Sequence, residues 1–222
     1  DGAPIFSQVG AEAGVARSGW GMGCAVGDVD EDGYPDLFVT YWGPDIFYRN
    51  LGNGTFAEQG EASGLINPGW GTSASFGDLD NDGLLDLYVA NYLEFDLSHP
   101  PAGGNWCVYK GLNSFCGPEG IPAQTDRIFR NRGEGYFVDL TEQTTVADFK
   151  YPGLGVSLAD LDDDGDLDVY VANDSEPNLL FRNDHNWHLT EIATLVGLAY
   201  SENGRAQAGM GVDTGDFDLD GD

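Results

Sequence analysis

The chain has 222 residues, of which 41% are hydrophobic, so it can bury a core in one large domain or two small ones. It carries 38 acidic and 9 basic residues, a net charge of −29, and this excess of acid argues against nucleic-acid binding, which needs a basic surface. Aromatic residues make up 12%, which argues against disorder, and no run approaches the roughly 18 apolar residues that span a bilayer.

Four acidic loops divide the chain into repeats. Half of all acidic residues fall in the short windows 28–36, 78–86, 160–168 and 216–222. The first Asp residues of successive windows are 50, 82 and 56 residues apart, and a glycine stands seven residues before each of them. Carboxylates this crowded repel one another unless a cation neutralises them. The windows therefore predict cation-binding loops that recur once per structural unit.

The first repeat shows the elements of one unit. Residues 37–40 form an apolar strand after the acidic loop, and residues 45–50 form another after a short connection. A Gly/Asn turn at 51–55 then leads to Phe56, and such turns supply the positive φ angles that a tight hairpin needs. Four short antiparallel strands in about 50 residues are typical of a β-propeller blade.

The second repeat has the same elements but carries an insertion at 92–122, between its second and third strands. Loops of this length are usually functional or disordered. The insertion contains Cys107 and Cys116, for which we predict a local disulfide, with two free thiols as the alternative. Cys24, in the first repeat, is predicted to be a small buried hydrophobic residue.

The third repeat is complete, whereas the fourth loop stops at Asp222, before its expected last ligand. We therefore expect about three and a half blades of a longer protein. The predicted fold is all-β, a single partial propeller over residues 1–222 built from four-stranded antiparallel blades. The predicted blades are roughly 6–55, 56–136 with the insertion 92–122, 137–186, and the incomplete 187–222.

The pattern Asp-x-Asp-x-Asp-Gly-x-x-Asp predicts a calcium site in each loop. Calcium takes six to eight oxygen ligands in a flexible geometry. Alternate Asp residues direct three carboxylates to one centre, the Gly allows the turn, and a carbonyl at position 7 and the Asp at position 9 complete the shell. The predicted ligands, for one Ca²⁺ per loop and four in all, are Asp28, Asp30, Asp32, the Tyr34 carbonyl and Asp36; Asp78, Asp80, Asp82, the Leu84 carbonyl and Asp86; Asp160, Asp162, Asp164, the Asp166 carbonyl and Asp168; and, in the truncated fourth loop, Asp216, Asp218, Asp220 and Asp222.

Other readings of these loops are disfavoured. An EF-hand needs a Glu at position 12, where this chain has Val39, Val89 and Val171 within strand patterns. Magnesium prefers few carboxylates and several waters. Solvated acidic turns are the remaining alternative, but four loops in one register argue against it. We expect calcium to be structural, because each ion holds together a hairpin that would otherwise repel itself.

Side chains outside the loops are predicted to be structural. Trp20 and Trp70 precede the repeat glycine and are expected to pack between blades, with sugar stacking as the alternative. Arg49, Arg130 and Arg182 recur at one repeat position, which indicates structural partners for an acidic group. The histidines His99, His185 and His188 are scattered and predicted to lie at the surface. The alternative is that His185 and His188 bind a metal together.

The repeated motif Gly-Asp-x-Asp-x-Asp-Gly-x-x-Asp-[Leu/Val]-[Phe/Tyr]-Val resembles the FG-GAP/VCBS repeats of integrin α-subunit-like β-propellers. The runs 6–15 and 56–65, the Arg-Asn-x-Gly-x-Gly-x-Phe turn and the Phe-Cys-Gly-Pro run at 115–118 look like the CRTAC/ASPIC-type secreted proteins. This resemblance implies a seven-bladed propeller, an extracytoplasmic location (secreted, periplasmic or cell surface) and a role in adhesion or matrix contact.

The leading functional hypothesis is a calcium-stiffened scaffold that binds a protein or glycan ligand at the cell surface or in the matrix. An enzyme acting on polysaccharide, with the insertion shaping its site, is one alternative. A structural subunit of a surface assembly, formed by copies of the chain, is another. The sequence predicts no catalytic residue, since it has no Ser/His/Asp order, no phosphate-binding Gly loop, and no carboxylate pair outside the metal loops.

Overall fold

The computed structural model describes residues 6–99, 107–114 and 117–217, and most regular structure in these ranges is β-strand. Within them, twelve strands form three four-stranded antiparallel sheets and two more form a hairpin in the insertion. The first sheet consists of β1 Gly21–Gly27, β2 Asp36–Tyr41, β3 Ile46–Asn50 and β4 Phe56–Glu58; the second of β5 Gly71–Gly77, β6 Asp86–Asn91, β9 Arg127–Asn131 and β10 Phe137–Asp139; the third of β11 Gly153–Ala159, β12 Asp168–Asn173, β13 Leu179–Asn183 and β14 Leu189–Glu191; and the hairpin of β7 Cys107–Tyr109 and β8 Leu112–Ser114.

Each sheet runs in chain order from its first to its fourth strand, and the insertion does not break this order. In the second sheet β6 pairs directly with β9, with Leu87 opposite Phe129. Every residue of β6 is buried, because the neighbouring sheets cover both faces of this strand. The long connection at 92–122 is therefore an addition at the end of one blade.

The first strands of the three sheets lie side by side, which arranges the sheets around a common axis. The Thr72 hydroxyl of β5 donates to the Gly153 carbonyl of β11 over 2.8 Å. A Cβ atom on Gly23 of β1 would lie 2.7 Å from the Thr72 carbonyl oxygen, so this approach requires a glycine. The described chain is thus an open, partial β-propeller, and the number of blades in a closed ring stays a prediction.

Apolar side chains fill the spaces between neighbouring blades. Phe47 of the first sheet meets Phe137 of the second edge-on, with ring centroids 6.4 Å apart. Ile128 of the second sheet and Phe181 of the third belong to one buried cluster. Each such side chain contributes about 1.5–3 kcal/mol when fully buried. The facing sides of neighbouring sheets are therefore buried against each other.

The repeat glycine lies where one blade touches a buried side chain of the blade before it. A Cβ atom on Gly71 would lie 2.4 Å from Oδ2 of Asp45. The Asp45 carboxylate accepts hydrogen bonds from the Tyr41 backbone N–H over 2.8 Å and from Asn67 Nδ2 over 2.7 Å. Burial raises the pKa of Asp45 to about 7. The glycine thus makes room for a carboxyl group between two blades.

The same position recurs in the other blades. Asp126 accepts hydrogen bonds from the Asn91 backbone N–H over 2.8 Å and from the Tyr88 hydroxyl over 2.9 Å, and burial raises its pKa to about 7. It faces Gly153 of the third blade. In the third blade the position is held by Asn178, which cannot ionise.

Short helices precede the blades, and the sequence did not predict them. They are α1 Gly10–Ala13, α2 Gly60–Ser63, α3 Ala193–Val196 and the 3₁₀ turns Thr141–Gln143 and Thr145–Asp148. Each α-helix ends at a glycine with positive φ, as is common at helix C-termini. Gly64, which ends α2, lies directly against the Phe137 carbonyl of the same blade.

Four predictions need correction or stay open. The predicted burial of Cys24 is wrong: its side chain is exposed, because no described residue covers that face of β1. Cys116 lies outside the described residues, so the disulfide with Cys107 stays a prediction. In the fourth repeat, residues 209–217 form no strand, and Asp218, Asp220 and Asp222 lie outside the described residues. The predicted blade limits also stay a prediction.

Candidate metal centres in the acidic loops

The first aspartate of each acidic loop closes the loop. The Asp28 carboxylate accepts hydrogen bonds from the backbone N–H groups of Asp32, over 3.1 Å, and Gly33, over 2.9 Å. Gly33 has a φ of +87°, which residues with a side chain rarely adopt. Asp78 and Asp160 close the second and third loops with the same pair of bonds. The turn brings the aspartates at positions 3 and 5 back toward position 1.

Three carboxylates meet in each of these loops. One oxygen from each member of a group lies within 4.8 Å of the others. The groups are Asp28, Asp30 and Asp32; Asp78, Asp80 and Asp86; and Asp160, Asp162 and Asp164. All of them belong to the predicted ligand sets, so the fold brings together side chains that the spacing predicted would converge.

Some of these oxygens are buried without a partner. Oδ1 of Asp30 and Oδ1 of Asp80 receive no hydrogen bond in the described part of the chain, whereas Arg49 lies against Oδ2 of Asp30. A buried carboxylate oxygen in this state is costly, because it has lost its water without gaining a donor. Carboxylates are the ligands that hard divalent cations such as calcium prefer, at about 2.3–2.6 Å. The donor set therefore fits a calcium ion in each loop.

The aspartate at position 9 ties the loop to the sheet. Asp86 accepts hydrogen bonds from the backbone N–H of Leu79 over 2.9 Å and of Asn131 over 2.8 Å. Asp36 and Asp168 make the equivalent bonds in their loops. Burial, assisted by the nearby loop carboxylates, raises the pKa of Asp86 to about 7. A bound cation would favour the ionised form, and each oxygen keeps a second lone pair for it.

Arginines from the third strands stand beside the first two loops. Arg49 lies against Asp30, and Arg130 Nη2 is 2.6 Å from Asp80 Oδ2. Arg182 pairs instead with Asp184, at 2.8 Å, which lies outside the third loop. The prediction of an acidic partner is confirmed for all three arginines. These arginine ion pairs thus offset charge in the first and second loops and not in the third.

Residues that the sequence did not single out join the first and second loops to the next blade. Asn131 Nδ2 donates to the Val29 carbonyl of the first loop over 2.8 Å, and Asn183 makes the same bond to the second loop over 2.7 Å. The Trp187 indole N–H donates to Asp80 Oδ2 over 3.0 Å. The Arg-Asn pair recurs at the end of each third strand, and this recurrence could have predicted a structural role for the asparagines. No sequence pattern pointed to Trp187, because the other blades have no Trp in this turn.

An aromatic cluster lies beside the first and second blades, in the segments that come directly before β1 and β5 and directly after β2 and β6. The Trp42 ring lies 5.0 Å from that of Trp20 and 6.4 Å from that of Trp70, between centroids. Trp70 also contacts Tyr92 and Phe95. Trp70 thus packs between two blades, as predicted, whereas Trp20 packs on Trp42 of its own blade and is 59% exposed.

Stacked four-stranded blades with an acidic loop after each first strand define a β-propeller-type repeat protein. The family profile described as FG-GAP-like repeat matches residues 28–89, 120–171 and 160–222, together more than half of the chain. The chain belongs to this family of FG-GAP-like repeat proteins.

The chain is also similar to cartilage acidic protein 1. It is 40% identical to the protein of Xenopus tropicalis and 39% identical to that of Homo sapiens, over 67 residues in each case. The matched segment is 30% of this chain and 10% of each relative. None of the helices in the described ranges is long and apolar enough to cross a membrane.

Proposed function

We propose that this chain is a calcium-binding, extracytoplasmic repeat protein in which one ion per loop stabilises each blade. The observation that carries the proposal is a buried loop carboxylate oxygen without a donor in each of two loops, Oδ1 of Asp30 and Oδ1 of Asp80. The three described loops share the same closing hydrogen bonds, which supports one mode of binding. The extracytoplasmic location is supported by the similarity to cartilage acidic protein 1.

Calcium in these loops would act on the contact between blades as well as on its own hairpin. The second loop receives a hydrogen bond from Trp187 of the third blade, at Asp80. It also receives one from Asn183 at a backbone carbonyl. A neutralised, rigid loop keeps these acceptors in place, whereas a loop expanded by charge repulsion would withdraw them. Ion binding to the native state therefore adds to folding stability.

Two neighbouring aspartates of the third loop test the calcium sites. Asp162 belongs to the carboxylate group, whereas Asp163 is exposed, has a φ of +60°, and corresponds to Asn81 in the second loop. We expect Asp162→Asn to lose one bound calcium relative to the wild-type chain and Asp163→Asn to lose none. Calcium content after desalting, measured by mass spectrometry, checks this. A wild-type chain that holds no calcium would refute the proposal.

The finer role we propose is a scaffold that binds a protein or glycan ligand. The exposed aromatic cluster around Trp20 supports it, because aromatic faces serve as contacts at binding surfaces. Glycan arrays and matrix-protein binding assays test it with Trp20→Ala. The matched control is Tyr136→Ala, which removes an aromatic side chain of similar exposure, 52%, elsewhere. The scaffold role is supported if the chain binds a ligand without releasing a product, and if Trp20→Ala weakens this binding while Tyr136→Ala does not. Turnover of a bound glycan would contradict it.

A further inference from the structure

A histidine and two aspartates converge beside the third acidic loop, at the junction of the second and third blades. Asp164, Asp166 and His185 each offer one ligand atom, and these atoms lie within 4.8 Å of one another. Asn81 of the second loop donates from Nδ2 to Asp166 Oδ1 and, over 3.2 Å, to the Gly165 carbonyl. The cluster is therefore held in place from both blades.

The Asp166 carboxylate is the feature that calls for a ligand. Its side chain is 3% exposed, and one oxygen accepts the hydrogen bond from Asn81. The other oxygen, Oδ2, is buried, receives no hydrogen bond in the described chain, and lies against Nδ1 of His185. A buried carboxylate oxygen and an imidazole nitrogen brought together in this way are two of the atoms that bind divalent metals in proteins.

Among the three loops that the structure describes in full, only the third has this arrangement. Position 7 is Tyr34 in the first loop and Leu84 in the second, so neither has a carboxylate where Asp166 stands. The turn that carries His185 also differs, because the matching turns of the other blades use glycines at positive φ. Here His185, Asn186 and Trp187 have φ angles of +64°, +53° and +65°. Such angles are strained for residues other than glycine, and the turn retains them.

We propose that Asp164, Asp166 and His185 bind a divalent transition-metal ion of the zinc class, at a second site of the third loop beside its proposed calcium site. An imidazole nitrogen with two carboxylates suits zinc, whereas calcium prefers a shell made only of oxygens. His185 is 64% exposed, which leaves a path for the ion and room for a water ligand. The site shares Asp164 with the third loop but does not require calcium there.

The test uses the whole chain saturated with calcium and titrated with zinc ions. We expect one zinc per chain to survive desalting. His185→Asn should weaken zinc affinity by at least about tenfold, since a metal ligand is lost. Asn tolerates the left-handed backbone at this position, so the variant should still fold. His188→Asn, three residues away and outside the cluster, is the matched control and should bind zinc as the wild type does. Cobalt in place of zinc should give absorption bands that depend on His185.

Three outcomes would overturn the proposal. The chain could retain no zinc, which would make the contact between His185 and Asp166 an ion pair only. Zinc affinity could be the same in His185→Asn and the wild type. Zinc could displace calcium mole for mole, which would place it in an acidic loop. Calcium content, measured in the same samples, tests the calcium proposal separately, so failure of one does not imply failure of the other.

Discussion

Single aspartates in this protein occupy two different electrostatic environments. Those of the loops are crowded, and a cation can neutralise them together. Asp45 and Asp126 are buried singly between blades, and burial raises the pKa of each to about 7. Such a group reaches its lowest free energy by holding a proton. We therefore expect the stability that the loops contribute to depend mainly on calcium. The stability that Asp45 and Asp126 contribute should depend mainly on pH.

Asp126→Asn should stabilise the protein above neutral pH. An unfolded chain ionises this carboxyl near its ordinary pKa of 3.8, whereas the folded chain holds the proton up to about 7. The contribution of Asp126 is fully present below pH 3.8 and is lost as pH rises to 7, by up to about 4 kcal/mol. Asn cannot ionise and can still pair with Asn91 and Tyr88. Urea unfolding of both proteins between pH 4 and pH 8, with calcium saturating, measures the difference.

The third blade supports this expectation, since it already has Asn178 at the same position. Asn178→Asp is the reverse substitution and should destabilise the protein at pH 8 more than at pH 4. Equal stability of Asp126→Asn and the wild type at every pH would show that the buried carboxyl has an ordinary pKa.

At the scale of the blade, close backbone contacts decide which glycines are essential. A Cβ atom on Gly71 would lie 2.4 Å from the Asp45 carboxylate, whereas one on Gly21 would lie 3.5 Å from the Tyr41 ring, which is ordinary contact. We expect Gly71→Ala to cost about 1–3 kcal/mol through overpacking and Gly21→Ala to change stability by less than about 0.5 kcal/mol. Denaturant unfolding of the two variants, which share one repeat position, gives the comparison. Equal losses would contradict it.

The asparagine at the end of each third strand offers a second comparison between blades. Asn131 donates to the Val29 carbonyl of the preceding blade, while Asn50 donates to Pro35 of its own blade. Asn131→Ala leaves the Val29 carbonyl buried without a donor, so we expect it to cost about 1–3 kcal/mol more than Asn50→Ala. Thermal or urea unfolding measures both. If Asn50→Ala costs as much, the bond between blades contributes little.

The strands were largely predictable from the sequence, because short alternating runs bounded by Gly and Asp turns have few other structures. The predicted strands at 37–40 and 45–50 agree with β2 and β3 to within a residue at each end. The four-residue helices were missed, since a single turn has no periodicity to detect. The burial of Cys24 was wrongly predicted, because a strand pattern does not reveal whether another sheet covers each face.

The sequence predicted which carboxylates converge within each acidic loop, but not which residues of the neighbouring blade contact the loop. Alternate aspartates around a glycine predict convergence within one loop, and the structure brings three carboxylates together in each described loop. The contact of Trp187 with Asp80 joins residues that are far apart in the chain. So does the contact of Asn81 with Asp166. Both depend on how two blades stack, which no local pattern encodes.

For the whole molecule, the net charge of −29 leads us to expect that the proposed calcium ions add to folding stability. Like charges in a compact chain repel one another, and the loops concentrate them where blades meet. At a calcium concentration about 100 times Kd, each site contributes about 2.7 kcal/mol. Three such sites correspond to a fall in Tm of more than about 10 °C when a chelator removes the ions, at about 2–4 °C per kcal/mol for a chain of this size.

Salt should restore part of the Tm that chelation lowers. The size of this recovery distinguishes repulsion within the loops from repulsion between charges spread over the surface. The screening length is about 10 Å at 0.1 M salt and about 3 Å at 1 M. Charges spread over the surface are then screened, but loop oxygens within 4.8 Å of one another are screened incompletely. We therefore expect 1 M NaCl to raise the Tm of the chelated protein without reaching that of the calcium-bound protein, whose own Tm should change less. Calorimetry measures all four states. Full recovery in salt would mean that general charge repulsion, and not the loop sites, sets the need for calcium.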